Sequence, residues 1–489
     1  MSEALRLFWE WLSHTPHLKA YLATIYGIYL LGLSIWIILQ KREPISTLSW
    51  LLALAALPYL GFLIYYLFGP QRIKRQKLRR GRSRSKANIA RYSAAASPTL
   101  HRTNFLSRLA QSTTGLAPST ATDVRWLIDG TDTYDAILAE IATATDHVHL
   151  EYYIFDPDHT GTRFRDALAE RARAGVKIRL LLDAVGSARI DRRFLRPLTD
   201  AGAEVVWFHP IQLFRPFKRP WLNLRTHRKI VVVDGRVAFI GGINITDEEN
   251  EQLRDDAYRD LHMRLQGGIV RSIQLVFVED WIYATGQGRD RFDISRLWPA
   301  ETSDTRNGHI TAQTLISGPD TEWETIHRLH IAAIEKAQKR AWLVTPYFVP
   351  SEAARMALTS AALAGLDTRL LVPKRSDSPF VTLAARSYFD ELLKSGVKVY
   401  EYGPRMLHTK ALVVDDDLCI VGSANFDQRS FKLNFEISIL LQDHATARVL
   451  IALLETEFAN ARRLPRNRST SFWRERLPEA CARLLSPLL

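Results

Sequence analysis

Two histidines and two lysines carry the chemistry this sequence is equipped to do. His227 and Lys229 stand in Thr226-His227-Arg228-Lys229-Ile230-Val231-Val232-Val233-Asp234, and His408 and Lys410 stand in Leu407-His408-Thr409-Lys410-Ala411-Leu412-Val413-Val414-Asp415. Both stretches read His-x-Lys-x4-Asp, and 17 residues after each His comes an Asn, Asn244 in Gly241-Gly242-Ile243-Asn244 and Asn425 in Gly422-Ser423-Ala424-Asn425. A phosphodiester resists attack because its charge repels nucleophiles. A catalyst must neutralise the phosphoryl oxygens, supply a nucleophile and protonate the leaving alkoxide. Two ammoniums meet the first need and two imidazoles the others. A single such stretch would be an ordinary surface pair at a strand end. The doubled stretch with the same downstream Asn implies a fold that converges both copies on one phosphate-transfer pocket.

The elements that position these groups are legible next. The run between Lys and Asp is apolar and rich in β-branched residues, so it is expected to be a buried strand on which alternate residues share a face. His and Lys therefore point the same way. Asp234 and Asp415 lie an odd number of residues beyond the Lys and turn away from it. Asp234-Gly235 is also a hairpin signal, so both Asp read as structural.

The region around the motifs is an internal duplication. His149-Leu150-Glu151-Tyr152-Tyr153-Ile154-Phe155 matches Leu343-Val344-Thr345-Pro346-Tyr347-Phe348-Val349, and Ala174-Gly175-Val176-Lys177 matches Ala364-Gly365-Leu366-Asp367. Gly202-Ala203-Glu204-Val205-Val206 matches Gly396-Val397-Lys398-Val399-Tyr400, and the two His-x-Lys strands follow. From Val124 onward, apolar runs of strand length alternate with helical stretches, an α/β signature. Two sheet domains related by a pseudo-twofold axis would set the motifs face to face. The boundaries expected are residues 121–300 for the first and 301–489 for the second.

With 489 residues, two or three domains are expected. The net charge of +13 calls for an anionic partner, and nine Lys or Arg with no acid fall within residues 72–86. The rest is nearly balanced, which argues against a general nucleic-acid-binding surface. Cys419 and Cys481 are the two cysteines, too few for a disulfide framework or a Cys-based zinc site. The motifs contain no cluster with metal-ligand spacing, and neither metal nor cofactor is expected. Residues 20–39 and 47–68 are apolar runs long enough to cross a bilayer, joined by Lys41-Arg42-Glu43-Pro44, so residues 1–70 read as a two-helix transmembrane hairpin. The basic run after it keeps the remainder on the cytoplasmic side and attracts anionic lipid. Residues 71–120 read as a basic juxtamembrane segment and linker. Phe214, Arg215, Phe217, Lys218, Arg219 and Trp221, ahead of the first motif, suggest an interfacial loop, and residues 472–489 suit either an interfacial helix or one docked on the domain.

The doubled stretch resembles the HKD motifs of the phospholipase D superfamily, and the whole chain is similar to bacterial cardiolipin synthases. The resemblance implies an α/β fold of two phospholipase D-like sheet domains behind the membrane hairpin, in the bacterial cytoplasmic membrane. It implies a phosphatidyltransferase that joins two phosphatidylglycerol molecules into cardiolipin and releases glycerol through a phosphohistidine. It counts His227, Lys229, Asp234, His408, Lys410 and Asp415 in the catalytic motifs, with His227 attacking and His408 as acid and base. Asp260 and Glu436, 33 and 28 residues after their motif His, match the superfamily's orienting acids. Asn244 and Asn425 are expected to brace the Lys and the turn, Ser423 to reach a phosphoryl oxygen, and Glu151 to line the alcohol site. A hydrolytic phospholipase D, a synthase with phosphatidylethanolamine as donor and a nucleic-acid phosphodiesterase are the alternatives; the oligomeric state is left open.

Overall fold

The computed structural model describes residues 18–39, 44–56, 104–210, 224–287, 292, 294–299, 308–484 and 486. The chain divides into two units, residues 1–71 and 72–489. The basic run 72–86, residues 57–68 of the second apolar run and the aromatic and basic residues Phe214 to Trp221 lie outside the described residues.

In the first unit, helices Leu18–Ile38 and Pro44–Ala56 occupy the two apolar runs. They meet through Ile37 and Leu54, and the Tyr26 hydroxyl donates to the Leu54 carbonyl at 3.1 Å. Tyr21, Ile25, Ile28, Leu31, Ile35, Ile38, Leu48 and Leu52 remain exposed. Among the described residues, no helix is long and apolar enough to cross a membrane.

The second unit carries 16 strands in two sheets. They are β1 (Ser119–Ala121), β2 (Asp123–Ile128), β3 (His147–Tyr152), β4 (Lys177–Asp183), β5 (Glu204–Phe208), β6 (Ile230–Val233), β7 (Val237–Gly241) and β8 (Leu261–Gln266). Then come β9 (Ile310–Ser317), β10 (Arg340–Val344), β11 (Asp367–Pro373), β12 (Lys398–Tyr402), β13 (Ala411–Val414), β14 (Leu418–Gly422), β15 (Glu436–Gln442) and β16 (Ala461–Arg463). One sheet runs β2-β8-β7-β6-β3-β4-β5, and the other runs β9-β15-β14-β13-β10-β11-β12 with β1 and β16 added at its two edges. In each half three strands are parallel and the motif strand is antiparallel to the first of them. The duplication thus extends to strand order and direction.

Alternation explains the layers. Val231, Val233 and Phe239 face helices Asp129–Thr143 and His159–Arg173, while Ile230, Val232 and Ala238 face the other sheet and helix Ile269–Thr285. Leu412, Ile420 and Leu440 face helices Thr325–Glu335 and Glu352–Leu363, and Val413, Cys419 and Ile437 face the shared centre. Strands buried on both faces need continuous apolar runs, which the motif strands have.

Two readings need correction, and one alternative left open is decided. The residues expected as linker include helix Phe105–Thr114, capped by the Asn104 side chain and by a left-handed Gly115, and β1, which pairs with β9 of the second half. Weak apolar periodicity had hidden a helix that buries only Leu106 and Ala110 in the core. The match between the first parallel strands is one residue out: Leu150 pairs with Val231 as Leu343 pairs with Leu412, so Glu151 corresponds to Val344, not Thr345. Both strands are almost wholly buried, so burial on alternate residues does not fix their register. Finally, the C-terminal segment docks on the domain through Ala482, the Glu479 to Arg468 ion pair at 2.7 Å and the Tyr388 to Ser486 hydrogen bond at 3.0 Å, and leaves Phe472, Trp473 and Leu484 exposed.

Candidate active site

His227 and His408 lie in the extended segments that lead into β6 and β13. Each segment runs parallel to the approach to a strand of the other half, β15 for the first and β8 for the second, with single bridges from Thr226 to Phe435 and from Leu407 to Arg259. The His227 amide donates to the Phe435 carbonyl at 2.9 Å, and the His408 amide donates to the Arg259 carbonyl at 2.7 Å. This reciprocal pairing crosses the acids over. His227 Nδ1 meets the Glu436 carboxylate at 3.1 Å, and His408 Nδ1 meets Asp260 Oδ2 at 2.6 Å. Each histidine is therefore oriented by a carboxylate from the opposite half, which leaves Nε2 as the reactive nitrogen.

Lys229 and Lys410 are buried and turn back on their own segments: Lys229 Nζ donates to the His227 carbonyl at 2.8 Å, and Lys410 Nζ donates to the His408 carbonyl and lies 3.4 Å from Asp260 Oδ2. Burial pulls the Lys229 ammonium down to about 7, and it pulls Lys410 down as well. Burial, followed by the field of Lys410, sets His408 well below the ordinary imidazole value, and burial lowers His227 with Glu436 opposing. The fields of Lys229 and His227 reach His408, and that of Lys410 reaches His227, so the four groups form one electrostatic unit.

The two acids differ. Burial raises Asp260 to about 6 against the opposing fields of Lys410 and Lys229. Glu436 stays below its usual range, because His227, Lys229 and the Ser423 hydroxyl together outweigh its burial. The Ser423 hydroxyl donates to Glu436, so it serves this acid instead of aiming at a phosphoryl oxygen. At the equivalent position in the first half stands Gly242, where a Cβ would come within 2.3 Å of Asp260 Oδ2. The shorter acid fills the space left by the missing side chain.

Other predicted residues fall elsewhere. Asp234 accepts from the amides of Thr145, Asp146 and His147, and Asp415 accepts from those of Gln338, Lys339 and Arg340. Both occupy the left-handed region, at φ 50° and 53°. They tie the motif hairpin to the start of the neighbouring strand and do not enter the pocket, which corrects their place in the catalytic set. Glu151 is fully buried and accepts from the Thr226 hydroxyl, with burial and the nearby Asp280 raising its carboxyl well above normal. It supports the motif from beneath and lines no alcohol site. The Asn244 side-chain amide donates to Glu249 Oε1 at 2.7 Å, whereas at Asn425 it is the backbone N–H that donates to the Ser430 hydroxyl, at 3.3 Å, and Oδ1 has no partner among the described residues. The Asn244 side chain braces its turn, and neither side chain is bonded to a lysine among the described residues.

Glu249 was not singled out from the sequence. It lies five residues after Asn244, where the second half has Ser430, and its buried carboxylate gathers with Asp260 and His408 so that their ligand atoms lie within 4.8 Å of one another. Burial raises it, and His408 and Lys410 oppose that shift. Such a group has the donors for a cation, although His408 Nδ1 is already held by Asp260. Spacing along the chain could not reveal it, because the three residues come from both halves. Tyr153 and Tyr258 were also missed; their rings lie 5.1 Å and 5.5 Å from those of His227 and His408. So was Arg228, which pairs with Asp280 on helix Ile269–Thr285 and donates to the Glu436 carbonyl at 3.2 Å.

Known proteins share both the sequence and the fold of this chain. A family profile described as cardiolipin synthase, PLD-like domain, matches residues 137–262 and 330–461, and one described as phospholipase D-nuclease N-terminal matches residues 29–70. The chain is 36% identical over 496 residues to a cardiolipin synthase of Geobacillus kaustophilus, covering 99% of this chain and 95% of that one. It is 39% identical to cardiolipin synthase 2 of Bacillus cereus, covering 93% and 88%. The fold is shared with the phosphatidylserine synthase of Haemophilus influenzae at TM-score 0.59 and 16% identity, covering 79% of this chain and 100% of that one. With the profile spanning both motif-bearing halves and the relatives matching nearly end to end, the chain belongs to the cardiolipin synthase family of phospholipase D-like proteins.

Proposed function

We propose that this protein is a membrane phosphatidyltransferase that joins two phosphatidylglycerol molecules into cardiolipin and releases glycerol. The observation that carries the reading is the pair of buried imidazoles, each held at Nδ1 by a carboxylate of the opposite half, beside two lysines. One Nε2 attacks phosphorus, and the P–O bond to the leaving glycerol breaks as the other imidazolium gives that oxygen its proton. The resulting phosphatidyl-histidine is attacked by the glycerol hydroxyl of a second lipid, whose proton goes to the same imidazole. The ammoniums of Lys229 and Lys410 offset the charge on the non-bridging oxygens through both steps. Every proton and bond is accounted for by side chains, so chelators leave turnover in neutral detergent micelles unchanged. Turnover lost to EDTA and restored by zinc or magnesium would move the Glu249, Asp260 and His408 group to the centre of the mechanism.

The N-terminal unit supports a membrane site of action. Its described helices expose Ile25, Ile28, Leu31, Ile35 and Leu52, and residues 20–39 and 47–68 have the length and composition of a hairpin anchor. The basic run 72–86 would hold the catalytic unit on the cytoplasmic face. Single cysteines placed within residues 87–120 of intact cells should then resist periplasmic labelling. The purified protein given phosphatidylglycerol alone should yield cardiolipin and glycerol on thin-layer analysis. Phosphatidic acid as sole product would instead mark a hydrolase, and a requirement for phosphatidylethanolamine would change the donor.

A further inference from the structure

The pseudo-twofold axis relates the motifs but not their surroundings. On the first segment Thr226 and Arg228 turn to Glu151 and Asp280 in the core, so strand alternation puts Arg225 on the same side as His227 and Lys229. Arg225 is 2% exposed, yet only one of its nitrogens is used: Nη1 lies 3.4 Å from Asp183 Oδ1, while Nε and Nη2 have no partner among the described residues. Asp183 is itself largely occupied, accepting from the amides of Val185, Gly186 and Thr226. A buried guanidinium with two idle donors is costly to hold unless something completes it.

A second cation stands nearby. The half-buried Arg429 side chain makes no hydrogen bond or ion pair among the described residues, and its field and that of Arg225 both reach Tyr153, the ring packed against His227. The equivalent described positions of the second half carry other groups. Strand register and motif spacing put Met406 opposite Arg225, Pro373 opposite Asp183, Pro346 opposite Tyr153 and the exposed Glu248 opposite Arg429. At these four positions the first half thus has two underused guanidiniums and a phenol where the second has apolar groups and an acid, although Tyr258 sets a phenol beside His408 as well.

We infer that Arg225 and Arg429, with the Tyr153 hydroxyl, form an anion subsite that holds the phosphate the reaction leaves intact, the phosphodiester of the acceptor lipid. The inference rests on the reading above that the acceptor is phosphatidylglycerol. That acceptor differs from free glycerol in carrying a second phosphate, and a planar fork of guanidinium donors suits such a group. Lys229 and Lys410 serve the phosphate being transferred, and two phosphates close together need separate counter-charges.

The test is a competition between acceptors in mixed micelles with the full chain and phosphatidylglycerol as donor. Cardiolipin formation reports the phosphate-bearing acceptor. Incorporation of labelled glycerol into phosphatidylglycerol reports an acceptor that lacks it. Arg225→Met is expected to raise the half-saturating phosphatidylglycerol concentration and lower the ratio of cardiolipin to labelled phosphatidylglycerol at least tenfold. Arg225→Lys should recover part of that ratio. Arg429→Met, at a half-buried and unbonded side chain, should shift the ratio the same way and decides the matter if Arg225→Met does not fold. An unchanged ratio in folded variants, whether both activities persist or fall together, overturns the subsite. Absence of both transfers in the unsubstituted protein would overturn the transferase reading instead.

Discussion

The two half-sites use the same parts with opposite electrostatics. Around His227, Glu436 takes hydrogen bonds from Ser423 and Asn434 and remains a firm carboxylate, and two positions before that His the buried Arg225 keeps two nitrogens without a partner among the described residues. Around His408, Asp260 sits against the bare Cα of Gly242, has Glu249 for a neighbour and is pushed up to about 6. Duplication supplies two imidazoles, but the proposed double displacement asks different things of them, since one would carry the phosphatidyl group while the other would move protons. The departures from symmetry mark where two such tasks could be separated.

The largest effects should come from what the half-sites share. His227→Ala and His408→Ala should each abolish cardiolipin formation while the protein stays folded. Lys229→Ala and Lys410→Ala should each lose about two orders of magnitude or more in rate. A His227 and His408 double variant that still formed cardiolipin would remove this active site from consideration.

The acids separate the halves by pH. Glu436→Gln and Asp260→Asn should each lower turnover about two orders of magnitude, because an amide can hold the imidazole in the wrong tautomer. With Asp260 at about 6 and Lys229 at about 7, kcat/KM should be bell-shaped. It falls below pH 6 as Asp260 gains a proton and ceases to accept from His408, and it falls above pH 7 as Lys229 loses its charge. Asp260→Asn should abolish the acid limb, whereas Glu436→Gln should leave it in place. Identical profiles for the two variants would mean that the half-sites do not differ.

Exchanging the residue beneath each acid gives a smaller and asymmetric effect. Gly242→Ser forces Asp260 off His408 and should cost roughly a hundredfold in kcat, the usual result of displacing a catalytic pair by about 1 Å. Ser423→Gly removes one hydrogen bond to Glu436 and should cost about tenfold. Equal losses would show that the packing difference is incidental.

Asp234→Ala and Asp415→Ala should alter stability and spare the chemistry. Each removes an acceptor of three backbone amides and places alanine in the left-handed region, and should cost about 2 kcal/mol or more of unfolding free energy in denaturant titration, with kcat of the folded enzyme little changed. Asparagine, at home in that region, should lose less.

The spacing of His227, Lys229 and Asn244 against His408, Lys410 and Asn425 was enough to read the duplication, the α/β class and the four side chains that the structure gathers at the candidate site. These follow from periodicity and identity along the chain, which any strand preserves. The alternating face that turns Asp234 and Asp415 away was legible for the same reason. What the chain could not show is which acid meets which histidine. Asp260 and Glu436 each follow their own motif, and only the reciprocal pairing of Thr226 with Phe435 and of Leu407 with Arg259 carries each across to the other. Glu249, the fit of Asp260 over Gly242, and the idle donors of Arg225 likewise depend on distances between segments far apart in sequence. The chemistry was fixed locally by residue type, and its division into two unlike half-sites was decided by how the two sheets close on each other.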